Sequence, residues 1–259
     1  MRPLEPFDDP LVRQAFAKAL DRSLLTDLAK TLTPEKEYAP ATTFTPPNIL
    51  GLDLYDKVGL SYDPEYANQL LEEAGYPGGR GLPEITLWYQ ETEDGFHQKI
   101  AEAVRAQWNA VFGIEVNLGS KPLDYYMSMV YNDPHQIWHR GWRADYVDPH
   151  NFLHDAICSG YNHDFFDNWE GEYTTITEAI ADAPDEIARQ ASIAEFSSRA
   201  CKAGNPTLFR WDNDEYASLL QTALQEYDGT TRRDKYVQAE QILCETDAVV
   251  IPLFHIHRE

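Results

Sequence analysis

Within residues 85–118 the apolar residues change from strand spacing to helix spacing and back, and this change constrains the fold most. Residues 85–89 and 114–118 follow the two-residue period of a strand, and residues 100–111 follow the period of a helix. The apolar positions are Ile85, Leu87 and Tyr89, then Ile100, Val104, Trp108 and Val111, then Ile114, Val116 and Leu118. Because strands joined by a crossover helix usually lie parallel, the pattern predicts an α/β fold.

Asp-Pro pairs mark the beginnings of two further helices. Asp9-Pro10 and Asp63-Pro64 each place an acidic N-cap before a proline at the first helical position. Apolar residues at helical spacing follow both pairs. Gly75 is predicted to end the second of these helices, as Gly113 is predicted to end the helix of the α/β unit.

The second half of the chain is predicted to be mainly helical. Residues 161–206 are rich in aromatic and acidic side chains, and we expect them to form a surface insertion. Helices are expected at Pro184–Ala200, after Trp211, and around Tyr236 to Leu243. Val249–Phe254 is predicted as the last strand, at a sheet edge or a crossing point, because Pro252 cannot donate to a ladder. No linker is long enough to divide the chain into two domains.

The charge balance argues against nucleic acid as a partner. The chain carries 21 basic and 43 acidic side chains, a formal net charge of −22, which repels phosphate backbones and anionic membrane surfaces. An acidic surface favours cationic ligands, and it also serves simply to keep a protein soluble. The first residues lack the apolar core of a signal peptide, and no stretch has the length of a membrane helix.

The three cysteines do not have the spacing of a zinc or thioredoxin-like site. Cys244 lies in an apolar helical pattern and is predicted to be a buried small hydrophobe. Cys158 and Cys201 flank the polar segment, and a disulfide between them is a hypothesis that requires an oxidising compartment.

Residues 137–152 hold the densest group of side chains that could bind a ligand. The segment begins as a short strand and continues into a loop that contains Trp142, Arg143 and Asp145. Tryptophan offers a flat apolar wall, arginine can hold a carboxylate bidentately, and a partly buried aspartate can bind an ammonium group. A structural Arg–Asp pair beside a core tryptophan is equally compatible with these residues.

Four segments in order resemble the oligopeptide-, dipeptide- and nickel-binding proteins of bacterial ABC importers, which are solute-binding proteins of family 5. They are residues 9–22, Tyr62 to Tyr76, Gly141-Trp142-Arg143-Ala144-Asp145-Tyr146, and Val249-Val250-Ile251-Pro252-Leu253. The resemblance covers nearly the whole chain apart from 161–206. It implies one lobe of a type II periplasmic-binding-protein fold, with a mixed sheet flanked by helices.

The resemblance also implies that part of the complete solute-binding protein lies outside residues 1–259. This chain is similar to the C-terminal, second lobe, so the N-terminal lobe would precede Met1 and a closing segment would follow Glu259. In peptide-binding members, the aspartate of the Gly-Trp-x-x-Asp segment meets the amino terminus of the peptide. That position is Asp145 here, with Trp142 beside it. Arg143, Tyr146 and His139 join the candidate set by proximity.

The function implied is capture of a solute, with oligopeptides as the first expectation, for an ABC membrane permease at the periplasmic or extracellular face of the cell membrane. Relatives that carry an oligosaccharide or a metal chelate share the scaffold, so those solutes remain alternatives. No cofactor is expected.

Two rival functions have weaker support. A hydrolytic enzyme would need a nucleophile with an oriented base or paired carboxylates, and neither a Gly-x-Ser-x-Gly elbow nor a metalloprotease helix motif occurs. A metal site could use His150 with His154, or His255 with His257, but two histidines are too few for a protein-bound metal. We therefore expect neither catalysis nor a metal.

Overall fold

The computed structural model describes residues 3–54, 57–132, 135–157, 171–200 and 211–257. The helices are α1 Pro10–Lys18, α2 Arg22–Leu32, α3 Pro64–Glu73, α4 Phe96–Phe112, α5 Leu123–Asn132, α6 Glu172–Ala181, α7 Glu186–Ala200, α8 Asp214–Leu224 and α9 Gly229–Gln241. The strands are β1 Glu37–Pro40, β2 Thr86–Gln90, β3 Asn117–Lys121, β4 Ile137–His139 and β5 Phe254–His257. Among these described residues, no helix combines the length and the apolar character needed to cross a lipid bilayer.

The chain packs as two compact units although its sequence contains no linker. The sheet unit comprises Arg2–Phe44, Leu54–Gly141 and Ile242–Glu259, and it contains all five strands described above. The helical unit comprises Thr45–Asp53 and Trp142–Gln241. Each unit is assembled from separate stretches that long-range contacts bring together, and such a division needs no linker; that both units form one lobe stays a prediction.

Three parallel strands form the main sheet of the sheet unit, in the order β3-β2-β4. Leu87 of β2 pairs with Leu118 on one side and Ile137 on the other. The chain runs from β2 through α4 to β3, then through α5 to β4. Because β3 and β4 flank β2, right-handed crossovers place α4 and α5 on opposite faces of the sheet. The predicted parallel strand, helix, strand unit is confirmed, with β3 beginning three residues later than expected.

The core of the sheet unit lies between the helices and the face of β2 that carries Leu87. Phe16 of α1 is fully buried against the rings of Trp108 and Phe112 in α4. Trp108 also donates its indole N–H to the carbonyl of Phe16 at 2.9 Å, so its one polar atom is satisfied. Burying one such aromatic side chain contributes about 1.5–3 kcal/mol.

The predicted capping signals occur where expected. The Asp9 carboxylate accepts from the backbone N–H of Leu11 at 2.8 Å, and the Asp63 carboxylate accepts from Tyr66 N–H at 3.0 Å. Gly75 and Gly113 follow their helices with φ of 92° and 69°. Since a residue with a Cβ is disfavoured at such angles, glycine suits both stops.

The final strand was predicted too early in the chain. Residues 249–253 are irregular, and the strand is β5, which pairs antiparallel with β1 in a separate two-stranded sheet. Pro252 cannot donate to a ladder, and its carbonyl accepts from the buried guanidinium of Arg22 at 2.8 Å. Among the described strands, parallel and antiparallel pairing therefore both occur, each in its own sheet.

The helical unit consists of α6–α9 and a π-helical turn, Asn151–Asp155. Its two stretches of chain are joined where Glu240 accepts from the hydroxyl of Thr45 at 2.7 Å. The described helices of the expected insertion, α6 and α7, bury apolar side chains in one cluster with Tyr146. That segment therefore contributes to a core, and its status as an insertion stays a prediction. Cys244, in the sheet unit, is buried as predicted, whereas Cys158 and Cys201 lie outside the described residues.

Candidate functional site

Asn151 organises the candidate segment in the helical unit. Its amide oxygen accepts from the indole N–H of Trp142 at 2.8 Å and from the backbone N–H of Asp145 at 3.1 Å. Its amide nitrogen donates to carboxylate oxygens of Asp145 at 3.1 Å and Asp155 at 3.2 Å. The side chain is fully buried, and all four hydrogen-bonding positions of its amide are used. Asn151 thus holds Trp142 and Asp145 in one arrangement.

The carboxylate of Asp145 is held by two neutral donors. Tyr173 of α6 donates its hydroxyl to Oδ1 at 2.7 Å, and Asn151 donates to Oδ2. Burial raises the pKa of Asp145; the two hydrogen bonds oppose that rise, and the nearby charge of Asp155 adds to it. Within the described residues no basic side chain forms a salt bridge with this carboxylate. A half-buried, oriented carboxylate without a cation favours an ammonium or guanidinium ligand.

Tyr146 and Arg143 occupy very different surroundings. Tyr146 is buried, with its ring 5.1 Å from that of Phe196 and its hydroxyl donating to Asp155 at 2.6 Å. Burial raises the pKa of Tyr146 well above its usual value. Arg143 is exposed. These positions favour a supporting role for Tyr146 and leave Arg143 accessible to solvent.

A buried ion pair anchors the turn that follows Asp145. Asp148 accepts from Arg232 at 3.0 and 2.9 Å and from Arg189 at 2.8 Å. It also accepts from the backbone N–H of His150 at 3.0 Å, with Pro149 between them. Asp148-Pro149 therefore repeats the capping pattern of Asp9-Pro10, and this local signal could have identified Asp148 from sequence. Its arginine partners, 41 and 84 residues away along the chain, could not have been identified in this way.

His139 belongs to the sheet unit and ends β4. Its backbone carbonyl accepts from the hydroxyl of Tyr126 at 2.6 Å, and its ring Nδ1 lies 3.3 Å from Nδ1 of His97. Burial, together with His97, lowers the pKa of His139 to about 3, so the ring is neutral near pH 7. The carboxyl ends of strands are where open α/β sheets bind ligands, and His139 lies at that end of the parallel sheet.

The structure therefore brings Trp142, Asp145 and Tyr146 into one network and shows His139 in the other unit. Asn151, Asp155 and Tyr173 complete the network and were not singled out as ligand-site residues from sequence. Asn151 and Asp155 lie in the segment that follows the Gly-Trp-x-x-Asp motif, so proximity was the available signal. No sequence signal pointed to Tyr173, because it is 28 residues from Asp145 in the chain.

Comparison with known proteins identifies the family of this chain. A family profile described as bacterial extracellular solute-binding proteins, family 5, middle region, matches residues 3–163. The chain belongs to this family. Membership confirms the α/β fold of a type II periplasmic binding protein predicted from the four motifs.

Individual members of family 5 match almost the whole chain. The oligopeptide-binding protein OppA of Bacillus subtilis (strain 168) is 27% identical over 256 residues, which are 96% of this chain and 38% of that protein. The periplasmic oligopeptide-binding protein OppA of Salmonella typhimurium is 25% identical over 254 residues, 96% of this chain and 37% of the relative. The chain thus spans less than two fifths of these family 5 relatives.

A solved structure of a similar protein also matches almost the whole of this chain. The periplasmic oligopeptide-binding protein OppAIV of Borrelia burgdorferi has a TM-score of 0.65 and 25% sequence identity to this chain. The match covers 97% of this chain and 40% of the Borrelia protein.

Proposed function

We propose that this chain is one lobe of a solute-binding protein that captures oligopeptides for an ABC importer. The observation that carries the proposal is the carboxylate of Asp145, which is half-buried, oriented by Asn151 and Tyr173, and held by neutral donors. A peptide presents an ammonium group at its amino terminus, and a charge-assisted hydrogen bond to Asp145 would offset the cost of burying that carboxylate. The names of the two OppA relatives support the same solute.

The solute is not selected by family membership alone. One relative at 25% identity is named a probable deoxycholate-binding periplasmic protein, from Escherichia coli, and another at 26% identity is named heme-binding protein A, from Haemophilus influenzae. Deoxycholate and heme both carry carboxylates, which the charge of Asp145 would repel. An oligosaccharide offers hydroxyl groups but no cation. The position of Asp145 therefore favours peptides over these alternatives.

The mechanism proposed is closure of two lobes, of which residues 1–259 supply the second. Solute that contacts both lobes stabilises the closed state because it binds that state more tightly than the open one. Trp142 would provide an apolar wall and Asp145 the anchor for the amino terminus. Arg143, which is exposed, is available for polar contacts with the solute. The partner would be an ABC permease, and the location would be outside the cytoplasmic membrane. Binding without catalysis is proposed.

The test is a calorimetric titration of a peptide pool into the two-lobed protein that contains this chain. Asp145→Asn should weaken binding by about 1.5–3 kcal/mol, the range for a hydrogen bond to a charged group. Asp182→Asn, which removes an exposed charge from the same unit, is the matched control and should leave affinity unchanged. If no peptide binds the unsubstituted two-lobed protein, the oligopeptide proposal fails.

A second comparison isolates the ammonium group itself. Peptides with an acetylated amino terminus should bind the unsubstituted protein more weakly than free peptides, by about the same 1.5–3 kcal/mol. The Asp145→Asn protein should distinguish the two peptide forms much less. Equal binding of free and acetylated peptides by the unsubstituted protein would assign Asp145 to another role. Residues 1–259 alone should bind peptides weakly, since one lobe provides only part of the contacts.

A further inference from the structure

Tyr173 reaches the candidate site from a part of the chain outside the four family motifs. It lies on α6, which begins at Glu172, beyond the region that the family profile matches. Its hydroxyl donates to Oδ1 of Asp145 at 2.7 Å, across 28 positions in the sequence. The Gly-Trp-x-x-Asp motif therefore supplies the carboxylate, and α6 supplies one of the side-chain donors that hold it.

Packing within the helical unit fixes the ring of Tyr173. The side chain is buried, and its ring centroid lies 5.9 Å from that of Phe196 on α7, with the ring planes inclined by 61°. Ile176 and Ile193 belong to the same buried cluster. Since close packing of this kind restricts the rotamers of an aromatic side chain, the protein itself holds the hydroxyl against Asp145.

A neutral donor acts on the carboxylate differently from a basic side chain. A lysine or arginine would balance the charge of Asp145 and compete with a cationic solute, whereas a hydroxyl stabilises the carboxylate and leaves its charge in place. A carboxylate has about four acceptor positions, so the donors on Tyr173 and Asn151 leave room for an ammonium group. Tyr173 can therefore support Asp145 without taking the place of the solute.

The groups that face Asp145 are Tyr173 from α6 and Asn151 and Asp155 from the π-helical turn. Burial raises the pKa of Asp145, and the charge of Asp155 adds to that rise. Among the influences that lower this pKa, the hydrogen bond from Tyr173 is the largest, ahead of the one from Asn151. The two donors therefore keep the carboxyl group charged against burial and a nearby like charge.

We infer that Tyr173 is a positioning residue of the solute site. Its hydroxyl keeps the carboxylate of Asp145 charged and oriented, and it thereby sets the lowest pH at which this carboxylate holds an ammonium group. The inference rests on the proposed capture of peptides at Asp145. It gives the segment 161–206, through α6, a part in solute binding as well as in the core.

The first test is a titration of the Asp145 carboxyl group by carboxyl-carbon NMR in the 259-residue chain, with Asp145→Asn identifying the signal. Tyr173→Phe removes one oxygen and keeps the ring against Phe196, so the variant should fold, and circular dichroism checks this. We expect the substitution to raise the pKa measured for Asp145. Tyr227→Phe, which removes an exposed hydroxyl from the same unit, is the matched control and should leave that pKa unchanged. An unchanged or lower pKa in Tyr173→Phe would overturn the inference, whether or not peptides bind.

The second test measures peptide affinity against pH in the two-lobed protein that contains this chain. Tyr173→Phe should move the acid limb of this profile to higher pH, and on that limb a pKa higher by about one unit lowers affinity about tenfold. A merely structural role would lower stability without moving the limb. A raised pKa with an unmoved limb would show that Tyr173 has no part in solute binding, and the inference would fail. If the unsubstituted two-lobed protein binds no peptide, the oligopeptide proposal fails instead, and the carboxyl titration alone decides whether Tyr173 keeps Asp145 charged.

Discussion

Replacing Asn151 by alanine tests whether this one buried amide organises the candidate segment. Asn151→Ala removes hydrogen bonds to the carboxylates of Asp145 and Asp155 and two more from Trp142 and the backbone of Asp145. Bonds to charged groups are worth about 1.5–3 kcal/mol and neutral ones about 1 kcal/mol. Water can reach the half-buried partners, and Asp155 keeps its bond from Tyr146, which lowers the net loss. We expect the free energy of unfolding to fall by about 3–5 kcal/mol.

The assay is urea denaturation followed by tryptophan fluorescence and far-ultraviolet circular dichroism. Asn109→Ala is the control, because Asn109 is exposed and its side chain donates one bond, to the carbonyl of Ile114 at 2.8 Å. That variant should lose no more than about 1.5 kcal/mol. A loss below about 1 kcal/mol for Asn151→Ala would show that the network does not depend on this amide.

A substitution of similar size at the same position, Asn151→Asp, tests how the network responds to an added negative charge. Asn151→Asp places a third carboxylate between those of Asp145 and Asp155 and removes the donor they share. Like charges raise the pKa of a carboxyl group, so the folded form of this variant should bind protons more readily than the unfolded form. Its stability should therefore rise as pH falls toward 5, and a stability that falls with acidification would contradict this reasoning.

Two other predictions concern buried charge. Arg232→Met should lower the free energy of unfolding by about 3–5 kcal/mol, since it leaves Asp148 buried with a weakened set of partners. Arg189→Met should lower it by only about 1–2 kcal/mol, because that side chain is 23% exposed. Equal losses in urea titrations of both variants would refute this ranking. Because burial raises the pKa of Asp145, peptide affinity should fall on acidification at a pH above the ordinary aspartate range near 3.9, and Asp145→Asn should remove that dependence. The effect of acidification on folding stability is opposite to its effect on peptide affinity. A raised folded-state pKa makes the contribution of Asp145 to stability larger as pH falls, and titration of folding against pH would detect it.

Local signals in the sequence were sufficient for the helices with Asp-Pro starts and glycine stops and for the parallel order of β2 and β3. Each depends on neighbouring residues, through a cap, a turn or a period of apolar positions. The same applies to the burial of Cys244. The four motifs were sufficient for the family, which the profile match confirms.

Tertiary structure decided the features that depend on distant residues. The stretch before β5 is irregular, and there the carbonyl of Pro252 accepts from Arg22, 230 residues away. The orientation of Asp145 depends on Tyr173, and the burial of Asp148 depends on Arg232, partners that no local pattern indicates. The division into two units likewise arises from contacts between separate stretches. Sequence by itself thus determined the elements and the family, whereas packing decided which polar groups meet, because a buried carboxylate takes whichever donors the fold brings to it.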